Sequence, residues 1–97
     1  MTVKDLGPGQ PKDGVLVREQ NELTRNAGIE LGTIIVGVFG IRVHDFDQYT
    51  YGRETVRTPD MRLIIWKRGQ YSEITVNLPS RRFGVKMASF PLASNTR

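Results

Sequence analysis

The residues best placed to do chemistry in this chain are cations gathered around a glycine: Arg81-Arg82-Phe83-Gly84-Val85-Lys86-Met87. A glycine in a tight turn ahead of a strand lets successive backbone N–H groups converge into a small anion nest. Phe83, Gly84 and Val85 would supply those donors, and Arg81 or Arg82 would add charge, directly or through a water. A carboxylate is the ligand such a nest suits. The bland alternative is a strand start with two arginines in solvent.

The remaining constellations do not assemble a catalytic site. The single histidine, His44, stands beside Asp45 and Asp47, and three ligands so close in sequence lack the spacing to converge on a metal. Both carboxylates flank a helix start, where capping and dipole compensation account for them. The chain has no cysteine, which excludes disulfides, thiolate nucleophiles and thiolate metal sites. No serine sits in a Gly-x-Ser-x-Gly setting, and no glycine-rich loop links a strand to a helix as phosphate binding requires. The expectation is a non-enzyme without metal or cofactor.

A small body must position these groups. A chain of 97 residues buries roughly 60–65 % of its unfolded surface, enough for one core and not two. Residues 1–13 hold Gly7-Pro8-Gly9 and Pro11, a density that disfavours regular structure and reads as a flexible lead-in. Gly14-Val15-Leu16-Val17-Arg18-Glu19 reads as a first strand. Glu22-Leu23-Thr24-Arg25-Asn26 has room for one helical turn before Gly28 stops it. The β-branched run Thr33-Ile34-Ile35-Val36, broken by Gly37 and closed by Gly40 before Ile41-Arg42-Val43, predicts two short strands folded around glycines. Asp45 is an N-cap, and Phe46, Tyr49, Arg53 and Val56 recur at helical spacing, predicting a helix over about 46–56 that Gly52 weakens. Met61-Arg-Leu-Ile-Ile-Trp-Lys67, a turn at Arg68-Gly69-Gln70 and the alternating Tyr71–Leu78 make a hairpin. Phe83, Val85 and Met87 alternate on one face, so a last strand is expected over 83–90, with a polar tail over 91–97. The fold class is α+β: five or six short strands in a partly open barrel or sandwich, with one short and one longer helix.

The order of these features resembles the centre of a PDZ domain. Ala27-Gly28-Ile29 matches the Ala-Gly-hydrophobic end of that family's short helix. Gly32-Thr33 stands where Gly-Asp is usual, and Val38-Phe39-Gly40 where Val-Asn-Gly is usual. The family's carboxylate loop, a basic residue followed by hydrophobic-Gly-hydrophobic, is matched by Arg81-Arg82-Phe83-Gly84-Val85. That loop normally precedes the strand equivalent to Gly14–Glu19, where Gly7-Pro8-Gly9 carries a proline in place of an amide donor. Residues 14–90 therefore resemble a circularly permuted PDZ-like domain, ending on the carboxylate loop and groove strand.

That resemblance implies a non-catalytic docking module. A bound peptide would lie antiparallel to residues 85–89 as an added strand. Phe83, Val85 and Met87 would line the pocket for its last side chain, with Gly84 in the loop and Lys86 in the strand that follows. Phe46, Thr50 and Arg53 are the helix positions facing the groove. Phe46 stands where family members preferring Ser or Thr two places before the C-terminus carry His, and would favour an apolar residue. The implied partner is a protein C-terminus, an extended peptide or a neighbouring domain of the same protein. Permuted PDZ-like domains accompany bacterial proteases and envelope proteins, so a larger protein of that kind is the implied context.

Two further readings come from the residues themselves. Residues 1–50 carry five Lys or Arg against seven Asp or Glu, and residues 51–97 nine against three, so the second half could meet nucleic acid. Trp66-Lys67-Arg68 and Tyr71 would then stack and bind phosphate; the few aromatics and the absence of a paired surface motif speak against it. An open-edged sheet could also add its edge strand to a second copy. The N-terminal residues lack a signal-peptide core, and no segment approaches the roughly 20 apolar residues of a membrane span.

Overall fold

Period-two alternation, side-chain caps and tight turns between them account for most of the elements. The computed structural model describes residues 3–56, 58–78 and 83–91. In chain order these form β1 (Gly14–Val17), α1 (Glu22–Ala27), β2 (Ile34–Val38), β3 (Ile41–Arg42), α2 (Phe46–Thr55), β4 (Asp60–Lys67), β5 (Gln70–Asn77) and β6 (Met87–Phe90). The architecture is α+β. All the strands belong to one open antiparallel sheet of order β5-β4-β2-β1-β6, with β3 paired to β2 beside that path. None of the described helices is long and apolar enough to cross a membrane.

The two faces of the sheet are unequal. Val15, Val17, Ile35, Val38, Leu63 and Ile65 point to the α2 side and join Ile29, Tyr49, Met61, Leu78 and Phe83 in the main core. Each large aliphatic side chain buried this way contributes about 1.5–3 kcal/mol relative to exposure. The opposite face buries Ile34, Val36 and Ile64, with Leu16, Trp66, Tyr71 and Phe90 packed around them.

β2 does not break at Gly37, as its composition suggests, but runs through it. The register with β4 slips between Ile35 and Gly37, so that Ile35 opposes Ile65 while Gly37 opposes Ile64. This bulge inserts Val36 as an extra residue, which places Ile35 and Val38, three apart, on the same core face. Both hairpins turn on a residue pair with positive φ: Phe39-Gly40 (52° and 79°) and Arg68-Gly69 (54° and 80°). That is the geometry whose twist matches antiparallel strands.

The lead-in is more ordered than its prolines and glycines predict. Val3–Leu6 forms a 3-10 turn, and Val3 and Leu6 pack on the second face of the sheet. Asp13 then joins it to β3: its Oδ1 lies 2.8 Å from Arg42 Nη2 and 2.8 Å from His44 Nδ1. Local composition forbade a long helix or strand there, but distant partners fix the segment nonetheless. β6 is shorter than the strand expected over 83–90, because Gly84 adopts a φ of +77° and ends extended pairing there. Of the tail expected from residue 91, all but Pro91 lies outside the described residues.

Candidate functional site

α2 is set by its first turn. Asp45 caps it, its Oδ1 accepting from the Gln48 amide at 2.8 Å, and the Gln48 side chain returns a bond from the His44 amide at 2.7 Å. A further free amide of that first turn, Phe46 N–H, donates to Ser89 Oγ of β6 at 3.0 Å. The N-terminus of α2 is thereby tied to the edge strand. Gly52 faces β2, and a Cβ there would stand 3.6 Å from Val38 Cβ, an ordinary contact that the helix–sheet spacing accommodates.

α1 sets the loop before β6. Asn21 and Thr24 form a reciprocal capping box, Thr24 N–H donating to Asn21 Oδ1 at 3.0 Å and Asn21 N–H to Thr24 Oγ1 at 2.8 Å. The same Asn21 donates from Nδ2 to the Phe83 carbonyl at 2.6 Å. Phe83 is sunk into the main core, which anchors the loop by its side chain as well. Gly84 follows in the left-handed region, a conformation that costs any side-chain-bearing residue about 1–2 kcal/mol.

Between α2 and β6 lies a cleft of about 370 Å³ lined by Phe46, Tyr49, Thr50, Arg53, Phe83, Gly84, Val85 and Met87. It brings together Phe46, Thr50 and Arg53 from the helix with Phe83, Gly84, Val85 and Met87 from the loop and strand. Lys86 is not among its lining. Its carbonyl accepts from the Arg18 amide at 2.9 Å, and its own amide donates to Glu19 Oε1 at 3.0 Å. Its main chain thus faces β1, and antiparallel alternation turns the main-chain groups of Met87 and Ser89 to the open side. Among the described residues β6 has a strand neighbour on one side only. Arg81 and Arg82 lie outside the described residues.

The floor of the cleft is polar beneath an apolar rim. Tyr49 is 1 % exposed, its ring 6.0 Å from that of Phe46. The Arg53 guanidinium lies over the Tyr49 ring, 5.5 Å from its centroid. Neither the Tyr49 hydroxyl nor that of Thr50, both buried, makes a hydrogen bond among the described residues. Burial pushes the Tyr49 phenol above its ordinary pKa, and the charge of Arg53 opposes that rise without cancelling it.

Sequence reasoning missed Asn21, Glu19 and Ser89, side chains that help to hold the loop and strand in place. Only Asn21 carries a local signal, as a capping residue three places before Thr24. The basic residues beside the aromatics of the hairpin are engaged by their own chain. Lys67 Nζ donates to the Gly28 carbonyl at 2.6 Å, and Arg68 forks onto Glu30 at 3.1 and 2.7 Å. Trp66 and Tyr71 meet edge to face, with centroids 4.7 Å apart.

No protein-family model matches this chain, and comparison with curated proteins and with solved structures finds no match either.

Proposed function

We propose that the cleft between β6 and α2 is a docking groove for an extended peptide, taken up as an added strand on the open edge of β6. The peptide's chain end would lodge at the Phe83–Val85 turn, in the manner of a circularly permuted PDZ-like domain. The observation that carries this reading is a β6 edge that no described strand pairs, combined with a helix alongside it. Met87 and Ser89 offer main-chain groups on the side where the cleft opens. Added strands of this kind gain affinity from main-chain bonds and selectivity from the pockets that receive alternate side chains.

Titration of the domain with fluorescent peptides, each made with a free and an amidated C-terminus, tests it. Free-acid peptides are expected to bind about tenfold tighter than their amides, the worth of one charge-assisted hydrogen bond. Equal binding of both forms would remove the chain-end nest. Absence of binding across the library would remove the docking groove.

A further inference from the structure

We infer that the groove prefers a chain end whose penultimate residue is Asp or Glu, read on the far face of the sheet by Arg18 with Lys86; this rests on the strand-addition reading above. Alternation along β6 gives successive side chains of an added strand different surroundings. Met87 and Ser89 lie opposite Val17 and Val15, which point to the α2 side. Ala88 lies opposite Leu16, which packs on the other face. One pair further on, the Arg18 amide donates to the Lys86 carbonyl at 2.9 Å, so Arg18 and Lys86 stand opposite each other on the Ala88 face. A peptide strand on the open edge of β6 shares this alternation. With its last side chain in the α2 cleft, the one before it turns to the face of Arg18 and Lys86.

Charge on that face is unbalanced. A second cleft, of about 620 Å³, adjoins the first and shares Phe46, Val85 and Met87 with it. Its charged lining is Arg18, Lys86 and Glu19. Glu19 is committed to Lys86: its Oε1 accepts from the Lys86 amide at 3.0 Å, and its Oε2 lies 3.9 Å from Lys86 Nζ. Arg18 is exposed and makes no ion pair among the described residues. Like charges opposite each other on paired strands repel, and one carboxylate answers only one of the two cations. A penultimate carboxylate would bring the second acceptor to Arg18. A lysine in its place would add a third cation. The cleft is open to water, so the preference is that of an exposed pair: modest and weakened by salt.

Peptides with the same free C-terminal residue and Glu, Gln or Lys before it separate this inference from the docking reading. At low salt the unaltered protein should bind the Glu peptide about threefold tighter than the Gln peptide and about tenfold tighter than the Lys peptide. Arg18→Gln should narrow these ratios, and Arg18→Glu should invert the order of Glu and Lys. The side chain is exposed, so both variants should keep the thermal transition of the unaltered protein. Glu moved one place further from the chain end, where its side chain faces α2, should bind the Arg18→Gln variant as it binds the unaltered protein. Equal binding of the Glu, Gln and Lys peptides to the unaltered protein would overturn the inference and leave the docking groove standing. So would a Glu-to-Lys ratio unchanged by Arg18→Glu. Failure of all three peptides to bind would overturn both.

Discussion

β5 and β6 are the outer strands of one sheet, yet they offer an incoming chain very different surfaces. β5 is eight residues long and pairs with β4 from Asn77 to Gln70. Its exposed positions carry Gln70, Ser72, Glu73, Thr75 and Asn77, polar side chains that discourage edge-to-edge association. β6 has four residues, all half-buried, because α2 packs on β1, β2 and β6. A strand edge by itself offers only main-chain bonds, which any sequence can accept. A helix rising beside it adds walls, and walls allow selection. On the proposed reading, the difference between a guarded edge and a receptive one lies in what stands next to the strand.

Substitutions at glycines should expose that difference most strongly. Gly14 opens β1 opposite Phe90, and a Cβ there would stand 2.7 Å from the Ile35 carbonyl oxygen and 2.8 Å from Ile34 Cγ2. Backbone cannot yield as a side chain can, so Gly14→Ala should destabilise by about 3 kcal/mol in urea unfolding, the upper range for overpacking. Gly69→Ala, at the tip of the β4–β5 hairpin, meets nothing within 4 Å. It should cost about 1 kcal/mol, for its left-handed conformation alone. Similar losses at the two sites would deny that β1 depends on close packing against β2. Asn21→Ala should also cost about 1 kcal/mol through the lost cap of α1. Because Asn21 also holds the Phe83 carbonyl, peptide affinity should fall with it, whereas loss of the exposed Asn77–Asp60 bond of the hairpin should leave affinity unchanged.

The buried phenol of Tyr49 gives the groove side a pH dependence. Its pKa in the folded protein is raised above the ordinary 10.0, so the folded state holds the proton more tightly than the unfolded chain does. That stability is fully present below pH 10 and is lost as pH rises through the folded value. Urea midpoints should fall from about pH 10 upward, and Tyr49→Phe should flatten the slope. The smallest effect expected is a gain. At Gly52→Ala the new Cβ would make ordinary contact with Val38 at 3.6 Å, so helix propensity should raise stability by up to about 1 kcal/mol.

Local signals made much of this architecture legible. Asp45 marked the start of α2, glycine at Arg68-Gly69 marked the β4–β5 turn, and alternation marked β4 and β5. What stayed hidden depends on contacts across the chain. The lead-in is held by Asp13 on Arg42 and His44 and by apolar packing behind the sheet, none of which its prolines announce. Gly37 looked like a break because composition does not reveal that Ile35 and Val38 must share a face. At the candidate groove, the PDZ resemblance laid on a helix capped by Asp45 nominated Phe46, Thr50 and Arg53, and a glycine between hydrophobics nominated Phe83, Gly84 and Val85. Lys86 was nominated as part of the strand a peptide would lie along; its main-chain groups bond the Arg18 amide and the Glu19 carboxylate on the β1 side. Asn21 stands 62 positions from the carbonyl it holds, a distance over which sequence pattern carries no information.

Amide hydrogen exchange, read residue by residue before and after a free-acid peptide is added, tests the strand-addition account most directly. The Met87 and Ser89 amides point away from β1, and the account predicts that both become protected on binding while the amides of β5 do not change. Protection arising along β5, or binding that leaves Met87 and Ser89 exchanging as before, would contradict it.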